Sequence, residues 1–276
     1  MAHFPPIDVA TICAEPPNST AADARYTRKV RDALKHLAKH DGTHGYAFCW
    51  GYTVFRTVYT PGSDERVVAA LERLAVYASY FVTHDTQLHP RGPAGAETSL
   101  FDTRRLNEGL IGRYYSELID DEQSLAGLGE SEVGERFDAW VAEHRSRPMT
   151  AGKMREQNTR FEFCLMLDEE SLDSILALPR NPYTPASRDG ADDEEDEGEC
   201  YVKVVSNRIK SEGEPGAVGR YWLRVGVFDF LWPMWFFPCD PDVLIEEMGV
   251  YDPEDGVQNL WGTPDDWIMG YMAAPS

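Results

Sequence analysis

Apolar residues recur along this chain with two periods. From Ser19 or Thr20, either able to cap a helix, to about His40, the residues Tyr26, Val30, Ala33, Leu34 and Leu37 form one helical stripe, and Asp41-Gly42 ends it. From Tyr46 to Tyr59 the period shortens to two. Tyr46, Phe48, Trp50, Tyr52, Val54 and Val58 share a face with Arg56, which predicts a long strand. Pro61-Gly62 turns the chain, and Ser63 with Asp64 and Glu65 begins a helix running to about Phe81.

Residues 83–98 read as a loop, and Arg113 to Ile119 as a strand. A helix from Ser131 to about Arg145 carries Val133, Phe137, Trp140 and Val141, and the polar stretch 146–158 reads as a hinge. The strand Arg160–Leu167 places Phe161, Phe163, Leu165 and Leu167 inward and leads into a short helix at Asp168 that ends before Pro179. Further strands are predicted at Cys200–Val205 and Arg220–Phe230. Two helices with proline in the first turn, at Asp240-Pro241 and Thr263-Pro264, close the chain.

These elements predict an α+β protein with a mixed or antiparallel sheet, helices on one face and a ferredoxin-like core with additions. Residues 1–19, rich in proline, form an extended arm. Residues 20–276 form one domain, divisible into halves at 20–147 and 159–276. An acidic loop spans 180–199.

Charge narrows the partners. The net charge is −21, and eight acids lie between Asp189 and Glu199. Removing those eight leaves −13, so the whole chain is acidic. No basic stripe is present to displace counterions from phosphates, so nucleic acid is not an expected partner, and an anionic membrane surface is disfavoured. No basic and apolar leader opens the sequence and no apolar run reaches the ~20 residues of a membrane helix, so the expected location is cytoplasmic.

Familiar chemistry is missing from the motifs. There is no glycine-rich phosphate loop, no dinucleotide fingerprint, no G-x-S-x-G and no H-E-x-x-H. Five widely spaced cysteines give no zinc pattern. His36 and His40 share a helix face, but Lys35 and Lys39 mark that face as solvated. A calcium loop begun at Asp193 puts Gly198 sixth but Val204 twelfth, where glutamate is needed. No metal and no cofactor are expected.

The candidate residues lie on strand faces, at one strand end and in one loop. Arg56 shares a face with Trp50 and Tyr52, and Arg224 shares one with Trp222, Phe228 and Phe230. A cation among aromatics is costly unless paired or stacked, so these faces could line a pocket for a small hydrophobic or anionic metabolite. Otherwise the arginines snorkel at the sheet rim or pair with an acid such as Asp168. Asp168 either joins acid–base work or caps the helix that follows it. His84, beside Asp85, could supply a base. Arg56, Asp168 and His84 are thus the catalytic candidates, and Trp50, Tyr52, Trp222, Arg224 and Phe228 the ligand-binding ones. The aromatics Trp232, Trp235, Phe236 and Phe237 leave open a second reading, a non-catalytic module docking a protein partner or a second copy.

The run Trp50-Gly51-Tyr52-Thr53-Val54-Phe55-Arg56-Thr57-Val58-Tyr59, with Ser63-Asp64, resembles a large group of filamentous-fungal proteins without a settled function. So do Leu167-Asp168-Glu169-Glu170-Ser171-Leu172, Tyr201-Val202-Lys203-Val204-Val205 and Trp222-Leu223-Arg224. The likeness covers roughly residues 45–235. It implies a fungal, intracellular origin and transfers no activity; some fungal proteins outside known types are cofactor-free cyclases or pericyclases of natural-product pathways, which makes that class the expectation.

Overall fold

The structure, a computed structural model, describes residues 4–12, 14, 28–39, 46, 48–85, 100–144, 159–182, 200–209, 220–227, 231–232, 250–251 and 258–260. The helices among these residues are α1 (Val9–Ile12), α2 (Arg28–Lys39), α3 (Ser63–Asp85), α4 (Leu100–Ile111), α5 (Glu122–Leu125), α6 (Glu130–His144) and α7 (Glu169–Ala177). The strands are β1 (Thr53–Arg56), β2 (Glu117–Ile119), β3 (Phe163–Leu167), β4 (Tyr201–Ile209), β5 (Arg220–Gly226), β6 (Val250–Tyr251) and β7 (Gln258–Leu260).

The strands form one sheet in the order β2-β1-β3-β4-β5-β7-β6. β2, β1 and β3 run parallel, β4 is antiparallel to both β3 and β5, and β7 is parallel to β5. The chain is therefore α+β with a mixed sheet, as its sequence predicts. The parallel trio β2-β1-β3 at one end of the sheet departs from a ferredoxin-like core, in which neighbouring strands alternate in direction. Strands from both halves of the chain join in this sheet, since Thr53 of β1 faces Cys164 of β3.

Helices cover both faces of the sheet rather than one. Val54, Leu165, Leu167, Val202 and Val204 share a core with Leu34 and Leu37 of α2, Leu74 of α3, Leu106 of α4 and Leu172 of α7. On the opposite face, Phe55, Cys164, Met166 and Val205 pack with Val133, Phe137 and Trp140 of α6. This explains why every residue of β1 and β3 is buried. Strands covered on both sides lose the polar alternation of a half-exposed sheet.

The long strand predicted over 46–59 shortens to four residues for a backbone reason. Phe48 has φ 62° and Gly51 φ 120°, so extended geometry breaks on both sides of Trp50. A Cβ at Gly51 would lie 2.6 Å from the Tyr115 carbonyl oxygen, so only glycine fits there.

Three more elements differ from the sequence reading. α3 continues a turn past Phe81, because Val82 is buried. α4 occupies residues to which the sequence reading assigns no element. The amino-terminal arm packs against the body: Ile7 is buried, and the Phe4 ring lies 6.2 Å from that of Tyr115. The cap at Ser19 or Thr20, the hinge 146–158, the acidic run and the two proline-headed closing helices lie outside the described residues.

Candidate functional site

Two charged clusters lie toward the carboxyl ends of β1 and β3, one on each face of the sheet. β1 ends at Arg56, which lies beside Leu167, the last residue of β3, and Asp168 follows. α3 and α4 connect β1 outward to β2, whereas α7 connects β3 the other way to β4. Both connections pack on the same face. The connections therefore leave β1 and β3 in opposite directions but on one face, where Arg66 of α3 is paired with Glu169 and Asp173 of α7.

Arg56 is 4% exposed and fully engaged. Its Nε donates to the Val58 carbonyl at 2.8 Å and its Nη2 to Ser63 Oγ at 2.7 Å. It is paired with Asp64 and, at 3.3 Å, with Asp120, and its guanidinium lies 4.4 Å from the centre of the Tyr59 ring. Burial alone would lower its pKa, but the hydrogen bond and charge of Asp64 and Asp120 outweigh that and raise it. The residue ties the end of β1 to the start of α3 and to the residue after β2.

The second cluster centres on Lys203, which the strand pattern does not single out. Its Nζ lies 2.7 Å from Asp168, 2.9 Å from Glu130 and 3.0 Å from Glu170, so three donors meet three carboxylates, two at the start of α7 and one at the start of α6. Asp168 also accepts the Ser171 amide at 2.8 Å, capping α7 as its position predicts. Glu170 accepts from Arg224 at 2.7 Å and from the Tyr201 hydroxyl. Lys203 lies 5.2 Å from the centre of the Trp222 ring, and Arg224 5.0 Å from that of Tyr201.

Every group whose charge is shifted here is held ionised, Tyr201 apart. Burial pulls the Lys203 ammonium down, but its bonds to Asp168, Glu130 and Glu170 push it well above the usual lysine range. Burial pushes Glu170 up, yet Tyr201 and Lys203 hold it below the ordinary carboxylate value. Tyr201 rises to about 12, through burial and then Glu170, and so keeps its proton. A lysine kept protonated is not an amine nucleophile. Among the described residues, no group of three or more His, Cys, Asp or Glu side chains is placed to hold a metal ion.

The structure thus brings Asp168, Trp222 and Arg224 around Lys203, leaves Arg56 at the end of β1 on the face that carries α3, and scatters the rest. Trp50 and Tyr52 are fully buried in the core of the opposite face from Trp222, packed against Trp232. Their polar atoms bond the carbonyls of Leu110 and Leu231, each at 2.7 Å. They do not line a surface with Trp222. His84 sits in the last turn of α3, 21 residues from Ser63; at about 1.5 Å per residue that is roughly 30 Å along the helix. It therefore stands apart from Arg56. Phe228 lies outside the described residues, as do His40 and the docking aromatics Trp235, Phe236 and Phe237. Trp232, the remaining docking candidate, is itself wholly buried.

A third polar cluster lies at the amino edge. Arg160, wholly buried, donates to the Tyr115 carbonyl and stands 4.9 Å from the centre of the Tyr46 ring. The Tyr46 hydroxyl donates to Glu117, and the Cys49 thiol to the Tyr46 carbonyl at 3.2 Å. Burial raises the thiol pKa against the pull of Arg160, so Cys49 rests as a thiol.

No helix of the described residues is long and apolar enough to cross a membrane. Comparison with protein-family models, with curated proteins and with solved structures returns no match.

Proposed function

We propose that this protein binds a small metabolite beside Lys203, where the end of β3 adjoins β4 and β5, and transforms it without a cofactor, as a cyclase or isomerase of fungal natural-product metabolism. The observation that carries this reading is the convergence of Asp168, Trp222 and Arg224 around Lys203, over β3, β4 and β5. Trp222 and Tyr201 offer partly exposed aromatic surface beside fixed charges. Such a surface orients a substrate and stabilises charge developing on it.

The balance of groups favours a ligand that donates hydrogen bonds. Both cations at this cluster are already engaged by carboxylates. Each Asp168 oxygen, by contrast, carries one bond and has a second lone pair to offer. Native mass spectrometry of protein purified from its own host, followed by release and identification of bound small molecules, tests the reading. A metabolite present in the unaltered protein and lost from Trp222→Ala supports it. A metabolite retained by that variant moves the site elsewhere, and a bare chain removes the reading.

A further inference from the structure

We infer that Lys203 is the positioning residue of this edge, fixing Asp168 and Glu170 as an oriented pair of acceptors. The inference rests on the proposed site but is tested apart from it. Lys203 lies in the middle of a row across the sheet: Phe55 faces Met166, Met166 faces Lys203, and Lys203 faces Arg224. The residue is 7% exposed, and its ammonium reaches carboxylates at the start of α6, the end of β3 and the first turn of α7.

Without the ammonium, Glu130, Asp168 and Glu170 would repel one another around a common point. Each would turn toward water or take up a proton. Arg224 is no substitute, since it approaches Glu170 from β5, one strand further along the sheet. Asp168 has one oxygen committed to the Ser171 amide, so Lys203 fixes the direction of the other. The charged and titratable groups around Glu170 are Lys203, Arg224, Tyr201 and Asp168, and Lys203 also reaches Glu130.

The test follows the side-chain carboxyl carbon of Glu170 by NMR through a pH titration of the full chain, assigned with Glu170→Gln. No ligand is needed, so the outcome is independent of whether a metabolite binds. In Lys203→Met the Glu170 midpoint moves up, and in Lys203→Arg it stays low, because a cation is restored. An unmoved midpoint in folded Lys203→Met, or equal midpoints in the two variants, overturns the inference. If Lys203→Met does not fold, Glu130→Gln serves: with one competitor neutral, the ammonium bears more strongly on Glu170 and its midpoint falls. A Glu130→Gln midpoint equal to that of the unaltered protein overturns the inference as well.

Discussion

One carboxylate of Asp168 performs two tasks at once: its Oδ1 accepts the Ser171 amide at 2.8 Å, and its Oδ2 meets Lys203 at 2.7 Å. The two can be separated by substitution. Asp168→Asn keeps a capping oxygen and loses the charge, whereas Asp168→Ala loses both. The asparagine variant should therefore unfold at lower urea than the unaltered protein, and the alanine variant lower still by the ~1 kcal/mol of a cap. Equal midpoints for the two variants would mean that the cap contributes nothing.

Arg56 holds three segments together from a buried position. Arg56→Ala leaves the Val58 carbonyl and Ser63 hydroxyl without their donor and two carboxylates without their cation. A loss of about 1–3 kcal/mol in urea unfolding is expected, since the buried Val58 carbonyl and Ser63 hydroxyl lose their donor while the exposed carboxylates contribute little. Arg56→Lys should recover part of it, keeping the charge but losing the fork.

Gly51→Ala should cost about 1–3 kcal/mol, since it strains the backbone at φ 120° and drives a Cβ into the Tyr115 carbonyl. Gly62→Ala is the control: its φ is 82°, but no atom lies within 4 Å of the added Cβ. Thermal melts of the two should differ, with the Gly51 variant lower.

The lowered pKa of Glu170 fixes the sign of one pH effect. A carboxyl with a folded value below its unfolded one contributes stability above the ordinary glutamate range. That contribution fades as pH falls through the folded value. Glu170→Gln should flatten the acid side of the stability curve, measured by urea midpoints from the neutral side down through the ordinary glutamate range, about pH 4, and below it. A parallel displacement of the whole curve would contradict this.

Arg73 closes the far end of α7, donating to the carbonyls of Leu176 and, at 2.7 Å, Leu178. Arg73→Ala should speed amide exchange in the last turn of that helix while its first turn, capped by Asp168, is unaffected. Uniform acceleration along the helix would show that the end is secured by packing alone.

Strand ends are the legible part of this chain. Arg56, Asp168 and Arg224 stand out because each interrupts or ends an apolar run, and the structure brings Asp168 and Arg224 around Lys203 while Arg56 lies on the other face. Lys203 is invisible for the converse reason. In Val202-Lys203-Val204-Val205 it reads as an outward residue on a half-solvated strand, and only the coverage of the second face by α6 makes that position buried. The same unforeseen layer hides the burial of Cys164 and Met166. Trp50 and Tyr52 share the face of Val54 and Val58, as alternation predicts, but hydrophobicity does not show that Trp232 covers them or that positive φ at Phe48 and Gly51 shortens the strand. α4 escapes notice because Arg104, Arg105 and Glu108 dilute its apolar stripe.

The place of β1 between β2 and β3 also governs when the chain can fold. Thr53 pairs with Cys164, 111 positions later, and the opposite edge of β1 waits for Glu117. At about 5–20 residues per second, a ribosome needs roughly 6–22 seconds between the two halves of the first pairing. Through that interval β1, whose four residues are all buried in the finished protein, has an unoccupied edge open to any other nascent strand. Production of this protein should therefore depend on chaperone capacity during synthesis more than on the stability of the finished fold.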